Sequence, residues 1–348
     1  MSKTNVILVA HGEGETIHPR EHFRLTKRIF HHAEKLVAIP KALQTLIAGV
    51  GSIALSAKWA LSGYRSPHNK ESRHLCESLI LAWNKNASIE QVDFKLAYSS
   101  TPPYFEDVLS KISEDENIIV VSLTPVNSDF SCGILCEELF KKFSKSELLK
   151  FPSRAHTIGN LWNRDELLEV YLQHILDHRA GVSTQFKSGL IIALHGTVVR
   201  DSKGKIPSFN TGLNETLEFA DRMKKRFAKE SALGFNRIEE AYLNHNVGGE
   251  WTVPTLKDTI RTMKLQGIEE VVFFAGGYFS DNSETDHASL AQLKKAGFKK
   301  IHSLPCINSN ERFVIFLKNE IEKALSCMNR WKNLSLPLIH EASMIRPS

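Results

Sequence analysis

The 348-residue sequence contains little cysteine, and the few cysteines that it has are scattered along the chain. They form no CxxC pair, and their number is odd, so they cannot all pair with one another. Small secreted proteins that depend on disulfides have many more cysteines for their length. We therefore expect reduced thiols in a cytoplasmic protein. The five cysteines are Cys76, Cys132, Cys136, Cys306 and Cys327.

Long apolar runs and a strong charge of one sign are also missing. The longest weakly polar stretch, residues 42–57 between Lys41 and Lys58, is too short and too polar to predict a membrane span. The five apolar residues before His11 are too few for the apolar part of a secretion signal. A net charge of +5 with a pI near 8.8 is too mild for a nucleic-acid-binding protein, but it suits anionic small molecules or a membrane surface.

What the sequence does contain is an alternation of short, β-branched apolar runs with longer amphipathic stretches. This alternation is typical of parallel sheets with crossover helices, so we predict the α/β class. The predicted strands are Asn5–Ala10, Val92–Ala97, Asn117–Leu123, Gly189–Leu194, Arg237–Leu243 and Glu270–Ala275. The predicted helices are Glu21–Leu36, Glu71–Asn84, Tyr104–Ile112, Gly133–Phe143, Asp165–Asp177, Thr211–Lys229, Pro254–Leu265, Ser289–Ala296 and Ser309–Cys327.

The chain also resembles itself. The segment Val6–Gly12 is similar to Leu190–Gly196, and Asn117–Asp129 is similar to Glu270–Asp281, in the same order. Buried strands share composition, so chance similarity is the alternative explanation. We interpret the two ordered pairs as a duplication that produces two similar Rossmann-like lobes with a cleft between them. The predicted division is a first lobe over residues 1–150, a second lobe over 151–330 and a C-terminal tail over 331–348.

Ionisable residues follow several of the predicted strands. In open α/β sheets, ligands bind beyond the carboxyl ends of the strands, where His11, His195 and Glu284 lie. A histidine at the end of a strand often has only a structural role. The functional interpretation depends on His195 and Glu284, which follow two strands of the same predicted lobe. An imidazole can bind ferrous iron or act as a base near neutral pH, and a nearby carboxylate can balance the charge of the ion.

Two of these segments resemble the signatures of the ferrochelatase family, which inserts ferrous iron into porphyrins. Ile192–Val198 is similar to the strand that ends in the family's active-site histidine, and Tyr278–Thr285 is similar to the signature that carries its active-site glutamate. The resemblance implies that His195 and Glu284 are the catalytic and metal-binding residues. Weaker matches in the same order are Gly63–Pro67, Ala97–Asp107, Leu123–Ser128 and Trp251–Pro254.

The resemblance also implies a tetrapyrrole cleft between two chelatase-type lobes. It implies substrate contacts from residues within or beside the matching segments. Arg65 and Arg200 are candidate partners of the propionates, with simple solvent exposure as the alternative. The expected activity is insertion of ferrous iron into protoporphyrin IX or coproporphyrin III in haem biosynthesis. The implied partners are therefore the porphyrin and Fe²⁺, and no nucleic acid is expected. The predicted substrate-binding residues are Ser66, Tyr98, Asn127, Ser128, Arg200 and Trp251.

The sequence departs from the family pattern at several positions. Asn282 replaces the histidine two residues before the glutamate, and Ala288 and Gln292 stand where the family often has further carboxylates. His11 with Gly12 resembles the first strand of the smaller sirohydrochlorin and cobalt chelatases. Two alternatives therefore stay open: insertion of cobalt or nickel into another tetrapyrrole, with His11 taking part, or a tetrapyrrole or haem carrier without turnover.

Two further expectations concern a cofactor and a membrane. Some ferrochelatases carry an iron–sulfur cluster on a cysteine-rich tail, but no cysteine follows Cys327, so we expect no cluster and no cofactor beyond the substrate iron. Residues 39–64 are mostly apolar between basic margins. We predict that they form a mobile lip over the cleft that rests on a membrane surface, with an ordinary buried helix pair as the alternative.

Overall fold

The computed structural model describes residues 3–32, 40–85, 92–143, 151–179, 185–245 and 248–344. Within them are ten strands, six of which the sequence predicts, and helices connect most of them. The strands are Thr4–Ala10 (β1), Val92–Tyr98 (β2), Asn117–Ser122 (β3), Ala155–Ile158 (β4), Ser188–His195 (β5), Val198–Arg200 (β6), Arg237–Leu243 (β7), Glu250–Trp251 (β8), Glu270–Phe274 (β9) and Lys300–Ser303 (β10).

Helices connect and cover these strands. The α-helices are Pro19–His32 (α1), Lys41–Ser62 (α2), His68–Lys85 (α3), Phe105–Ser110 (α4), Ile134–Lys142 (α5), Phe151–Arg154 (α6), Asp165–Asp177 (α7), Leu213–Ala228 (α8), Leu256–Leu265 (α9), Ser289–Lys295 (α10) and Glu311–Met344 (α11). Two short π-helices, Asp129–Gly133 (π1) and Ser283–Ala288 (π2), precede α5 and α10. The predicted end of the first helix at Leu36 lies outside the described residues.

Eight of these strands form two parallel sheets of the same topology, and β6 and β8 form a small antiparallel sheet. The first has the order β2-β1-β3-β4, and the second has the order β7-β5-β9-β10. In each sheet the first strand of the lobe pairs with both the second and the third. This arrangement confirms the α/β class and two similar lobes. The pairing of Ala10 with Tyr98 matches that of Leu194 with Tyr242, so His11 and His195 occupy equivalent positions in the two lobes.

The local structure of the two lobes is duplicated as well. After the second strand, the N–H of Tyr98 donates to the carbonyl of Pro103 at 2.9 Å, and the N–H of Tyr242 donates to that of Pro254 at the same distance. After the third strand, each lobe has a π-helix whose first N–H groups are capped by a side chain, from Ser128 in one lobe and from Asn282 in the other. These parallels support a duplicated lobe.

One hydrophobic cluster spans both lobes, and each lobe has a further cluster of its own. All of β1 is buried, as expected for a parallel strand covered by helices on both faces. Helix α11 follows the second lobe and packs on α3, α6 and β4 of the first, with Phe313 and Leu317 fully buried. The first sheet continues to β4, which pairs with β3, so it passes residue 150, where the sequence predicts the boundary. Helix α11 runs through the predicted tail as far as Met344.

Candidate active site

His195 is the last residue of β5 and the only one in that strand that is not buried. Seven buried residues anchor the strand, and the imidazole emerges from its carboxyl end into the cleft. Gly196 then allows the loop after β7 to approach closely, because a Cβ at this position would lie 1.8 Å from Oδ1 of Asn244. The close approach brings the residue after Asn244, His245, beside His195.

His195, His245 and Glu284 form a three-residue cluster. Nε2 of His195 lies 3.1 Å from Nε2 of His245, and Nδ1 of His245 lies 3.4 Å from Oε1 of Glu284. One nitrogen or oxygen atom from each residue can be chosen so that all three lie within 4.8 Å of one another. Two ligand atoms about 2.1 Å from one ion and at right angles to each other are about 3 Å apart, so this spacing suits a divalent metal.

Glu284 is held in position by neighbours in its own lobe. Asn282 caps π2 and accepts the backbone N–H of Glu284 at 3.0 Å, and the hydroxyl of Tyr278 donates to Oε2 of Glu284 at 2.6 Å. Burial disfavours the charge of Glu284, but His245, His195 and the Tyr278 hydroxyl together outweigh burial and lower its pKa below the usual value. The carboxylate is therefore charged at neutral pH.

Burial favours the neutral form of His195 and of His11. Burial lowers the pKa of His195, and His245 lowers it further, while Glu284 acts in the opposite direction. His11 lies at the equivalent position of the first lobe, where solvent reaches its ring although protein surrounds it. Burial, followed by the nearby His68, lowers the pKa of His11 to about 3, and Glu284 partly opposes them. Neutral imidazoles keep a free lone pair at neutral pH, as a metal ligand or a base requires.

Contacts between the lobes close one side of the cleft around π2. The Glu13 carboxylate accepts the backbone N–H of Ser283 at 3.1 Å, the Ser283 hydroxyl at 2.7 Å and the Ser66 hydroxyl. The hydroxyl of Tyr64 donates to Oδ1 of Asp286 at 2.6 Å. The first lobe thereby fixes the helix that carries the glutamate of the cluster.

Two of the six predicted substrate-binding residues, Trp251 and Arg200, lie on the side of the cluster where His245 is found. Trp251 packs edge-on against His245, with 5.5 Å between the ring centroids. Arg200 is half exposed, lies 3.5 Å from a carboxylate oxygen of Glu250 and donates to the carbonyl of Gly204 at 3.1 Å. Both residues belong to the small β6–β8 sheet, so this sheet forms the wall of the site beside His245.

The other four predicted residues serve contacts within the protein. Ser66 is buried and donates to Glu13. Asn127 accepts the N–H of Asn160 at 2.9 Å, and Ser128 caps π1. Tyr98 differs from the prediction most clearly, since it is 2% exposed and donates to the carbonyl of Asn69 at 3.2 Å. Its ring lies under Gly12 and presents almost no surface to a ligand.

Sequence reasoning missed His245 and gave Tyr278 no role. His245 comes two residues after the carboxyl end of β7, so the rule that identified His195 could also have found it. Tyr278 entered only as the first residue of the segment that resembles the glutamate signature. Its hydrogen bond to Glu284 gives this residue a role, because the hydroxyl stabilises the charged carboxylate.

Comparison with known proteins agrees with this architecture. Residues 3–325 match the family model described as Ferrochelatase. A ferrochelatase of Sulfurimonas denitrificans is 23% identical over 331 residues, or 90% of this chain and 96% of the relative. A ferrochelatase of Campylobacter concisus is 23% identical over 268 residues, or 75% and 78%. The solved structure of SirB from Bacillus subtilis with Fe³⁺ has a TM-score of 0.51 at 10% identity and covers 93% of this chain and 96% of SirB.

Two equivalent parallel-sheet lobes around a cleft with a His–His–Glu cluster define a protein of the chelatase fold. The match over nearly the whole chain shows that it belongs to the ferrochelatase family. Membership in this family assigns to it the insertion of a metal ion into a tetrapyrrole.

Proposed function

We propose that the chain inserts ferrous iron into a porphyrin, protoporphyrin IX or coproporphyrin III, as a step of haem biosynthesis in the cytoplasm. The observation that supports iron most directly is the donor set of His195, His245 and Glu284. Two imidazoles and one carboxylate form the set that holds Fe²⁺ in many non-haem iron proteins. Here the ion is the substrate, so the site must bind it and then release it to the ring.

The reaction replaces two pyrrole N–H protons by one Fe²⁺ ion and releases both protons. In the proposed mechanism, the neutral His195 accepts the two pyrrole protons one after the other and passes each to solvent, since burial lowers its pKa and the residue is exposed to water. Glu284 balances the charge of the ion while water leaves it. The Tyr278 hydroxyl, 2.6 Å from Glu284, keeps that carboxylate charged and oriented until the ring nitrogens replace it.

The walls of the cleft suit a flat macrocycle with acidic side chains. Trp251 and Tyr278 flank His245 and His195, with 5.8 Å between the ring centroids of His195 and Tyr278. Arg200, half exposed beside this wall, is available to a propionate because its present carboxylate neighbour Glu250 is largely solvated. An aromatic wall next to a cationic rim fits the apolar ring and anionic substituents of a porphyrin.

A second candidate function is insertion of cobalt or nickel into another tetrapyrrole. His11 favours it, because this histidine lies across the cleft from His195 at the equivalent strand end and is held neutral as a ligand must be. A carrier without turnover is a third possibility left from the sequence. The three functions differ in metal preference and in turnover.

Anaerobic metalation of protoporphyrin IX and coproporphyrin III with Fe²⁺, Zn²⁺ and Co²⁺ separates them. We expect multiple turnovers with Fe²⁺, and a rate lower by about 10²–10⁴-fold from a His195→Ala control. A strong preference for Co²⁺ would favour the second function, and tight binding of one porphyrin equivalent without turnover would favour the carrier. Iron and sulfide analysis of the purified protein tests the expectation that no cluster is required.

A further inference from the structure

His245 lies beyond the strand that leads to it. It comes two residues after β7, an edge strand of the second sheet, and its side chain is 43% exposed. His195, by contrast, ends a strand that has a neighbour on each side and seven buried residues. An ion can bind both imidazoles only when their nitrogen atoms stay about 3 Å apart. The 3.1 Å between the two Nε2 atoms therefore depends on contacts outside β7.

Thr252, which follows β8 and is 2% exposed, connects the segments that carry the two histidines. Its N–H donates to the carbonyl of Thr197 at 3.0 Å, and its carbonyl accepts the side-chain amide of Asn244 at 2.7 Å. Its hydroxyl accepts the N–H of Thr197 at 3.1 Å and donates to Oδ1 of Asn244 at 3.3 Å. Every polar group of Thr252 thus links the residue before His245 to the residue two positions after His195.

These hydrogen bonds begin where the pairing of the strands ends. The N–H of Gly196 donates to the carbonyl of Leu243 at 3.0 Å, which extends the pairing of β5 with β7 by one residue. At the next residue of the second segment, the side chain of Asn244 continues the connection through Thr252. The chain is therefore held directly before the imidazole of His245 leaves it.

We propose that Asn244 and Thr252 are positioning residues that hold His245 at metal-binding distance from His195. The ligand atoms remain those of the His–His–Glu cluster, and the two residues act through the position of His245. A ligand that is held in place loses less conformational freedom when the ion binds. Hydrogen bonds that orient metal ligands change metal affinity about 10–100-fold when they are lost. The proposal rests on the proposed function, because it concerns the binding of the substrate ion at the same site.

Thr252→Val removes the hydroxyl and keeps the shape, the N–H and the carbonyl of residue 252. The N–H of Thr197 then loses its acceptor, and Oδ1 of Asn244 loses its donor. The neighbouring Trp251 keeps its pairing with Val198, so the aromatic wall of the cleft stays in place. The variant should therefore weaken binding of the metal ion and leave binding of the porphyrin unchanged.

Calorimetric titration of the full chain with Co²⁺, without porphyrin, tests this proposal. Co²⁺ binds the same kinds of ligand as Fe²⁺, and its visible spectrum reports the ligands around it. Thr252→Ser keeps the hydroxyl and should restore binding. The matched control is Thr259→Val on α9 of the same lobe, because Thr259 is also 2% exposed and its hydroxyl donates to the carbonyl of Glu240 at 2.7 Å. His195→Ala identifies the cluster as the site of binding.

We expect Thr252→Val to bind Co²⁺ about tenfold or more weakly and to change the spectrum of the bound ion, with Thr252→Ser and Thr259→Val equal to the unmodified chain. In anaerobic metalation, KM for Fe²⁺ should rise by a similar factor while KM for the porphyrin is unchanged. Asn244→Ala, at a partly exposed position, repeats the test if circular dichroism shows that Thr252→Val does not fold.

Three results would overturn the proposal: unchanged Co²⁺ affinity in Thr252→Val and Asn244→Ala, an equal loss in Thr259→Val, or Co²⁺ binding that His195→Ala does not weaken. The expected pattern of Co²⁺ affinities in a chain that metalates no porphyrin would support the positioning role and contradict the proposed function alone. The two failures are therefore distinguishable.

Discussion

Replacement of Glu13 by alanine removes the carboxylate that joins the first lobe to π2. Three donors lose their acceptor: the hydroxyls of Ser66 and Ser283 and the N–H of Ser283. A hydrogen bond to a charged group contributes about 1.5–3 kcal/mol when buried, and these groups are partly exposed, so we take about 1 kcal/mol each. The free energy of unfolding should then fall by roughly 3 kcal/mol.

Urea denaturation followed by circular dichroism measures this change. Glu15→Ala is the matched control, because Glu15 forms a half-exposed ion pair with Arg73 that is worth at most about 1 kcal/mol. We also expect the metalation rate of Glu13→Ala to fall on the order of tenfold, since π2 and Glu284 lose their contact with the first lobe. Equal free energies of unfolding for the two variants would refute the role of Glu13 as the contact that fixes π2.

Three further changes test the site and the packing of α1 on α2. His245→Ala should lower kcat for metalation about 10²-fold or more by removing one of three ligands, as read from initial rates. Tyr278→Phe should lower it about tenfold, because Glu284 loses one short hydrogen bond, with KM for the porphyrin little changed. Burial against Trp59 lowers the pKa of His22. The free energy of unfolding should therefore fall as the pH drops below 6.5, by up to about 1.4 kcal/mol per pH unit, because the unfolded chain takes up a proton that the folded chain does not. Thermal unfolding of His22→Leu should show a smaller dependence on pH.

Much of the fold could be predicted from local patterns. Four of the six predicted strands, β1, β3, β5 and β9, stand out because buried strands of a parallel sheet are apolar on both faces. The structure confirms all six within two residues. The edge strands β4 and β10 were missed because four residues that are only partly buried leave no apolar run. The packing of α11 on the first lobe could not be predicted from the sequence. The spacing of apolar residues shows that a helix has an apolar face, but it does not show which element that face packs against.

Local patterns likewise predict only part of the candidate site. His195 and Glu284 follow strands of one lobe, and the structure places them on either side of His245. The partner histidine follows the edge strand of the lobe, and its position depends on the close packing at Gly196, which no local pattern reveals. Tyr98 lies in a segment that resembles the family, so we expected it to contact the substrate. Its ring is instead buried in the core. A motif identifies a position in the chain, and packing decides which way its side chain points.

The central claim is that His195 and Glu284 carry out metal insertion and that His11 only supports it. The direct measurement is the initial rate of Fe²⁺ insertion into porphyrin by His195→Ala, Glu284→Gln and His11→Ala, with circular dichroism to confirm folding. We predict losses on the order of 10²–10⁴-fold for the first two variants and a smaller loss for the third. An inactive His11→Ala beside an active His195→Ala would contradict the account and favour the second metal-insertion function.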